Sequence, residues 1–317
     1  MNTALRVTTF AAGCLTAAAL GLNLEAGSPA AAQTGAEPVS KTCRVGPRSR
    51  EVPIQKTEPF KMFDNLYHVG PCYVAVYLLT TPEGHVLFDT TQEPFIDDTI
   101  ANIQKVGVNL RDIKYIVLAH GHLDHVGGAA RFQEVTGARL MAVAEDWTMI
   151  EALQGKTGNR DPRPNRMPAK RDMVMKDGDT LKIGDQEIRF VQTPGHTPGV
   201  LSAYNITLRD GSNSYKAFWG GGGGGGEDLK GAEQGVINTK KIADIPGIQV
   251  NLLTHSWVEP NGYPGGGIHE RAVLLKTRKA GDPNPFVDPA TWNARAKRTY
   301  ENETKRLAEE KAKAGAK

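Results

Sequence analysis

The sequence predicts an α/β protein in which two sheets pack face to face and helices cover both outer faces. Three observations lead there. Short β-branched and aromatic runs bounded by Gly and Pro recur along the chain. Helically spaced segments punctuate them. The pattern falls into two halves, each with several strands followed by helices, which suits a layered sandwich. At 317 residues, 39% hydrophobic and 23% charged, the composition is that of an ordinary globular protein. The net charge of +3 is small and the basic residues are scattered. A nucleic-acid or membrane-surface partner is therefore not expected.

The first element is not part of the fold. Met1 to Arg6 carries a positive charge, Val7 to Leu24 has no charged residue, and small residues run from Gly27 through Ala32. This is the three-part pattern of a secretory signal over residues 1–32, with cleavage expected after Ala32. Cys14 falls within it. Residues 33–56, polar and rich in Pro, Arg and Ser, read as an irregular arm. A single domain is expected over residues 57–317. Of the two cysteines left, Cys43 and Cys72, the sequence does not decide whether they pair in an oxidising compartment.

Within the domain, Leu66–Val69, Tyr73–Leu79 and Val86–Asp89 read as strands, with Pro82-Glu83-Gly84 as a turn. Ile96–Val106 carries Ile96, Ile100 and Ile103 at helical spacing, and Ile113–Leu118 is a buried strand. Ala129–Val135 reads as a helix, Leu140–Val143 as a strand and Glu145–Leu153 as a helix. A Pro/Arg/Asn-rich loop occupies residues 154–173. Thr180–Ile183, Glu187–Thr193, Leu201–Leu208, Ser214–Trp219 and Val250–Thr254 are strand-like. The Ala-, Glu- and Lys-rich tail, Ala290–Lys313, reads as a solvated helix.

The chemistry concentrates after the strand ending at Leu118. His120-Gly121-His122-Leu123-Asp124-His125 places three of the chain's eight histidines within six residues. Imidazole and carboxylate are zinc donors. His120 and His122, two apart in an extended loop, can aim at one ion. The adjacent Asp124 and His125 can turn toward a second. Further donors are expected from His196, held by Pro and Gly on both sides in Thr193–Gly199, and from His255, which ends an apolar strand. Strand-end loops are where sites are usually built. His68, His85 and His269 lack such surroundings and read as structural or exposed.

These motifs resemble the metallo-β-lactamase superfamily, from about Phe60 to the C-terminus. The resemblance implies an αβ/βα sandwich. It implies a first zinc on His120, His122 and His196, a second on Asp124, His125 and His255, and a bridging water or hydroxide. It makes Asp89, at the end of "VLFDTT", a buried support and not a ligand, and gives Asp124 a catalytic role in orienting the nucleophile and moving its proton. Most two-metal hydrolases of this superfamily carry a bridging aspartate at the end of the strand that here reads "YKAFW", and one subclass carries cysteine. This chain has Gly220–Gly226 there, then Glu227 and Asp228, which resembles the third subclass of class B metallo-β-lactamases. The implied activity is opening of the β-lactam ring of penicillins, cephalosporins and carbapenems in the periplasm, with antibiotic resistance as its consequence. Alternatives are hydrolysis of another ester or lactone, or zinc binding without catalysis. The glycine run reads as a flexible surface loop, alternatively as a flap or an amide platform. Glu227 or Asp228 could reach a metal. Trp219, Trp257, the glycine run and the 154–172 loop are expected as cleft walls.

Overall fold

The computed structural model describes residues 56–158, 161–222, 224–255 and 267–315. The signal-peptide reading of residues 1–32 lies outside them, as does all of the irregular arm except Lys56.

The first sheet has seven strands in sequential order: β1 (Phe60–Phe63), β2 (Leu66–His68), β3 (Tyr77–Leu79), β4 (His85–Phe88), β5 (Ile113–Val117), β6 (Arg139–Val143) and β7 (Met173–Met175). Pairing is antiparallel from β1 to β4 and parallel from β4 to β7. Parallel neighbours need crossovers, and helices supply them. These are α1 (Ile96–Lys105), the single turn α2 (Leu123–Val126) with α3 (Ala129–Thr136), and α4 (Ala144–Ala152). The second sheet runs β12-β11-β10-β9-β8. Its strands are β8 (Thr180–Ile183), β9 (Gln186–Gln192), β10 (Leu201–Asp210), β11 (Asn213–Gly220) and β12 (Val250–Leu253). Only β11 and β12 pair in parallel, and α5 (Leu229–Ala243) connects them. Helices α6 (Ile268–Thr277) and α7 (Pro289–Gly315) complete the chain.

Strand alternation sorts the core into layers, because successive side chains point to opposite faces. In β5 and its continuation, Val117 and Ala119 join the cluster between the sheets, while Ile116 and Leu118 join the cluster under the first-sheet helices. In β11, Ala217 and Trp219 face the other sheet, and Phe218 packs with Val191, Ile248 and Trp292 beneath the helices. Both sheets are thus covered on both faces, which is why the chain is apolar without a break over Ile116–Ala119 and Ala217–Trp219. The result is the expected αβ/βα sandwich.

Several expectations change. The stretch Tyr73–Leu79 is regular strand only from Tyr77, with Val74 making an isolated bridge to His255. Helices α5 and α6 and strands β1 and β7 had no reading from sequence. Trp219 is fully buried between the sheets, 5.0 Å from Phe88 between ring centroids. It is core and not a cleft wall. Trp257 lies outside the described residues. Cys72 is disulfide-bonded, and the other cysteines, Cys14 and Cys43, also lie outside them.

Candidate metal centre

All six predicted donors converge at one edge of the sandwich. Strands β4 and β5 run parallel, so their C-terminal ends sit side by side. The chain leaves β4 through Asp89 in a left-handed conformation (φ 65°). That turn aims the fully buried Asp89 carboxylate across to the β5 loop. Its Oδ1 accepts from the Ala119 amide at 2.8 Å, and its Oδ2 accepts from His125 Nδ1 at 2.8 Å. Thr90 binds the His125 carbonyl through both its amide and its hydroxyl. Asp89 is the supporting residue the sequence suggested.

The donor atoms of His120, His122 and His196 lie within 4.8 Å of one another, and so do those of Asp124, His125 and His255. The three rings of the first group stand nearly perpendicular, at 83–89° with centroids 4.5–4.7 Å apart. Their edges therefore meet around a common point. The groups adjoin: the His120 and His125 centroids are 4.1 Å apart.

Tautomers can be read from the outer contacts. A carbonyl or carboxylate only accepts, so the ring nitrogen facing it carries the hydrogen. His120 Nδ1 donates to the Gly221 carbonyl at 2.6 Å, His125 Nδ1 to Asp89, and His255 Nδ1 to the Tyr73 carbonyl at 3.1 Å. Each Nε2 is then a bare lone pair pointing inward. His120 Nε2 is buried with no hydrogen-bond partner. The Nε2 atoms of His125 and His255 face each other at 3.2 Å, an opposition of two acceptors that a cation between them would resolve. Ligating histidines characteristically donate their other nitrogen to such partners. The donor set fits a metal ion.

Electrostatics agree. Burial, then the neighbouring imidazoles, holds His120, His196 and His255 below the ordinary histidine range, in the neutral form a metal needs. Burial works the same way on His125, but the Asp89 charge and hydrogen bond outweigh it and raise this group. Burial would raise Asp124, yet His125 and His255 prevail and keep it below the usual carboxylate range.

One residue of this centre had no sequence reading. Asp146, in the first turn of α4, is 1% exposed. Its Oδ1 accepts from the Gly121 amide at 3.1 Å and its Oδ2 from the Val200 amide at 2.7 Å. Gly121 lies between His120 and His122, and Val200 closes the loop that carries His196. One carboxylate therefore ties together both loops of the first donor group. Burial raises its pKa against the opposing bonds from the Val200 and Gly121 amides.

The described glycines of the run do not form a loose surface loop. Gly220 ends β11, and Gly221 is buried, donating to Ser202 Oγ at 3.0 Å while its carbonyl orients His120. A Cβ at Gly221 would stand 1.9 Å from the Leu201 carbonyl oxygen, and one at Gly225 would stand 1.9 Å from that of Gly231. Backbone lies on backbone there, which only glycine permits. Asp228 caps α5 by accepting from the Gly231 amide at 2.7 Å. Glu227 is exposed, and neither acid joins a donor group among the described residues.

A profile of the metallo-β-lactamase superfamily matches residues 69–205, the segment holding Asp89 and five of the six donors. This chain carries a metallo-β-lactamase superfamily domain. Similar solved structures include a subclass B3 metallo-β-lactamase of Bradyrhizobium japonicum, at 28% identity over 82% of this chain and 97% of that one, with a TM-score of 0.63. The native metallo-β-lactamase of Legionella gormanii is similar at 26% identity over 81% and 98%, with a TM-score of 0.67. Among curated relatives, a hydroxyacylglutathione hydrolase of Cereibacter sphaeroides is 33% identical over 27% of this chain and 27% of its own length. A protein of Aquifex aeolicus is 29% identical over 37% of this chain and 56% of its own length. The matched stretches thus span between a quarter and somewhat over half of these curated relatives. The superfamily match and the similar solved structures support a hydrolase.

Proposed function

We propose that this hydrolase opens β-lactam rings with two zinc ions, one on His120, His122 and His196 and the other on Asp124, His125 and His255, in the periplasm after loss of residues 1–32. The observation that carries the reading is what stands at the end of β11. The three donors of the second group are present together, and where many two-metal relatives place an aspartate or cysteine this chain has the buried backbone of Gly221. The similar subclass B3 structures support the substrate class.

Bound zinc would supply Lewis acidity and a water acidified to near neutral pH. The chain's residues supply the rest. Asp89, Gly221 and Tyr73 fix the tautomers of His125, His120 and His255, so the donors are preorganised. Asp124 is half-exposed, with Oδ2 3.8 Å from His125 Nε2 and 3.9 Å from His255 Nε2. It is placed to orient the attacking water, accept its proton and hand that proton to the departing lactam nitrogen. No nucleophilic serine is needed.

The test is hydrolysis of a carbapenem by the purified mature chain with added zinc, with and without a chelator. Chelator-sensitive turnover is expected. Absence of turnover in protein shown to hold two zincs would overturn the β-lactam reading. It would favour a second one, ester or thioester hydrolysis, for which the hydroxyacylglutathione hydrolase match speaks.

A further inference from the structure

A cavity of about 470 Å³ lies behind the second donor group, between the outer face of the second sheet and helices α5 and α7. Its volume falls within the range of about 300–1,000 Å³ typical of small-molecule sites. On the side of the metal centre its wall includes His255 and Gly222. A Cβ at Gly222 would stand 3.4 Å from His196 Cδ2, so this wall glycine lies between the cavity and the first donor group. Toward the helices the wall is Phe218, Trp292 and Ile242. The Phe218 and Trp292 rings are 4.9 Å apart.

Two polar side chains in the wall from α5 are turned to other uses. Asn238 donates to the Pro194 carbonyl and accepts from Gln234, and the Thr239 hydroxyl donates to the Gly235 carbonyl at 2.8 Å. Neither offers that bond to an occupant. Gly220, Gly222 and Gly224 add a stretch of wall without side chains: a Cβ at Gly224 would meet nothing within 4 Å. The bare run keeps the space beside His255 open.

From this juxtaposition of an apolar cavity with the wall of the metal centre, we infer that the cavity is a second compartment of the substrate site, taking an apolar acyl or aryl group attached to the hydrolysed bond. The inference rests on the hydrolytic reading of the metal centre but not on the ring being a lactam. It assigns selectivity for apolar substituents to α5 and α7, away from the metal loops.

The experiment uses the zinc-loaded mature chain and a medium-chain fatty acid brominated at its far end. A carboxylate near the metals would leave the bromine among the wall aromatics, where it quenches tryptophan fluorescence. Saturable quenching is expected, absent with acetate and abolished in Trp292→Phe. Ala296→Phe, which narrows the cavity from α7, should weaken binding about tenfold or more, while Ala296→Ser keeps it. If Ala296→Phe does not fold, Thr299→Phe, exposed one turn further along the same wall, replaces it. Equal quenching in Trp292→Phe, or unchanged affinity in the filled variant, would overturn the inference. Quenching without carbapenem turnover would leave the cavity standing and remove only the lactam. Turnover without quenching would do the reverse.

Discussion

Asp146 shows what a single side chain does here. Two amides, from segments 25 and 54 residues away in sequence, converge on its carboxylate. Asparagine can replace one acceptor oxygen but brings an NH₂ against the other amide. Asp146→Asn is therefore expected to lower metal affinity at the first group by about tenfold to a hundredfold, as loss of an orienting partner commonly does. The second group should be little affected. Stepwise metal titration of the apoprotein, followed by cobalt absorption, reads the two groups separately, and equal weakening of both would refute the role. His122→Ala should abolish first-group binding outright, and unchanged metal content would remove that assignment. The six donors and Asp89 were legible because they are chemically distinctive and stand at strand ends. Asp146 was not, since it is an ordinary helix-first-turn acid until the fold brings its amides to it. Trp219 was misread although strand alternation carried the signal: it shares parity with Ala217, and both face the other sheet.

At the scale of elements, the C-terminal helix is more than the solvated face its charges suggest. Arg306 of α7 donates to the Gly226 carbonyl at 2.7 Å and the Gly231 carbonyl at 3.2 Å, and Glu303 holds its guanidinium at 2.6 Å. These bonds clamp the end of the glycine run to the start of α5. Arg306→Ala should cost about 1–3 kcal/mol, the usual penalty for partly buried carbonyls losing a charged donor. Denaturant unfolding measures it, and a change below about 0.5 kcal/mol would mean the clamp is idle. Strands and the longer amphipathic helices were readable from periodicity. Helix α5 was not, because the glycines before and within it lower its propensity. Its register is set instead by the Asp228 cap and by packing on α7.

For the whole molecule, acid should be the weak side. His68 is fully buried with both ring nitrogens unpartnered, stacked on Phe60 at 5.0 Å. Burial, and then His269, holds it well below the ordinary histidine value. Burial pushes His269 down to about 4. Both groups bind fewer protons folded than unfolded, so stability rises with pH between the folded values and the unfolded value near 6.5. Above that value the contribution is complete. Melting temperature should therefore fall as pH drops from about 6.5 toward 4. His68→Phe should flatten that slope, since it removes a titrating ring while keeping the stacked shape. An unchanged slope in the variant would show that other groups govern acid sensitivity.

The glycine run has a final consequence. Seven identical residues look interchangeable, yet among the described ones Gly220 ends a strand, Gly221 presents its carbonyl to His120, and Gly225 lies against Gly231. The segment works as a ruler whose marks are all alike. Adding or removing one glycine would barely alter composition, hydropathy or charge, but would slide every later station by one place between fixed anchors at β11 and the Asp228 cap. Length, rather than identity, carries the information in this stretch.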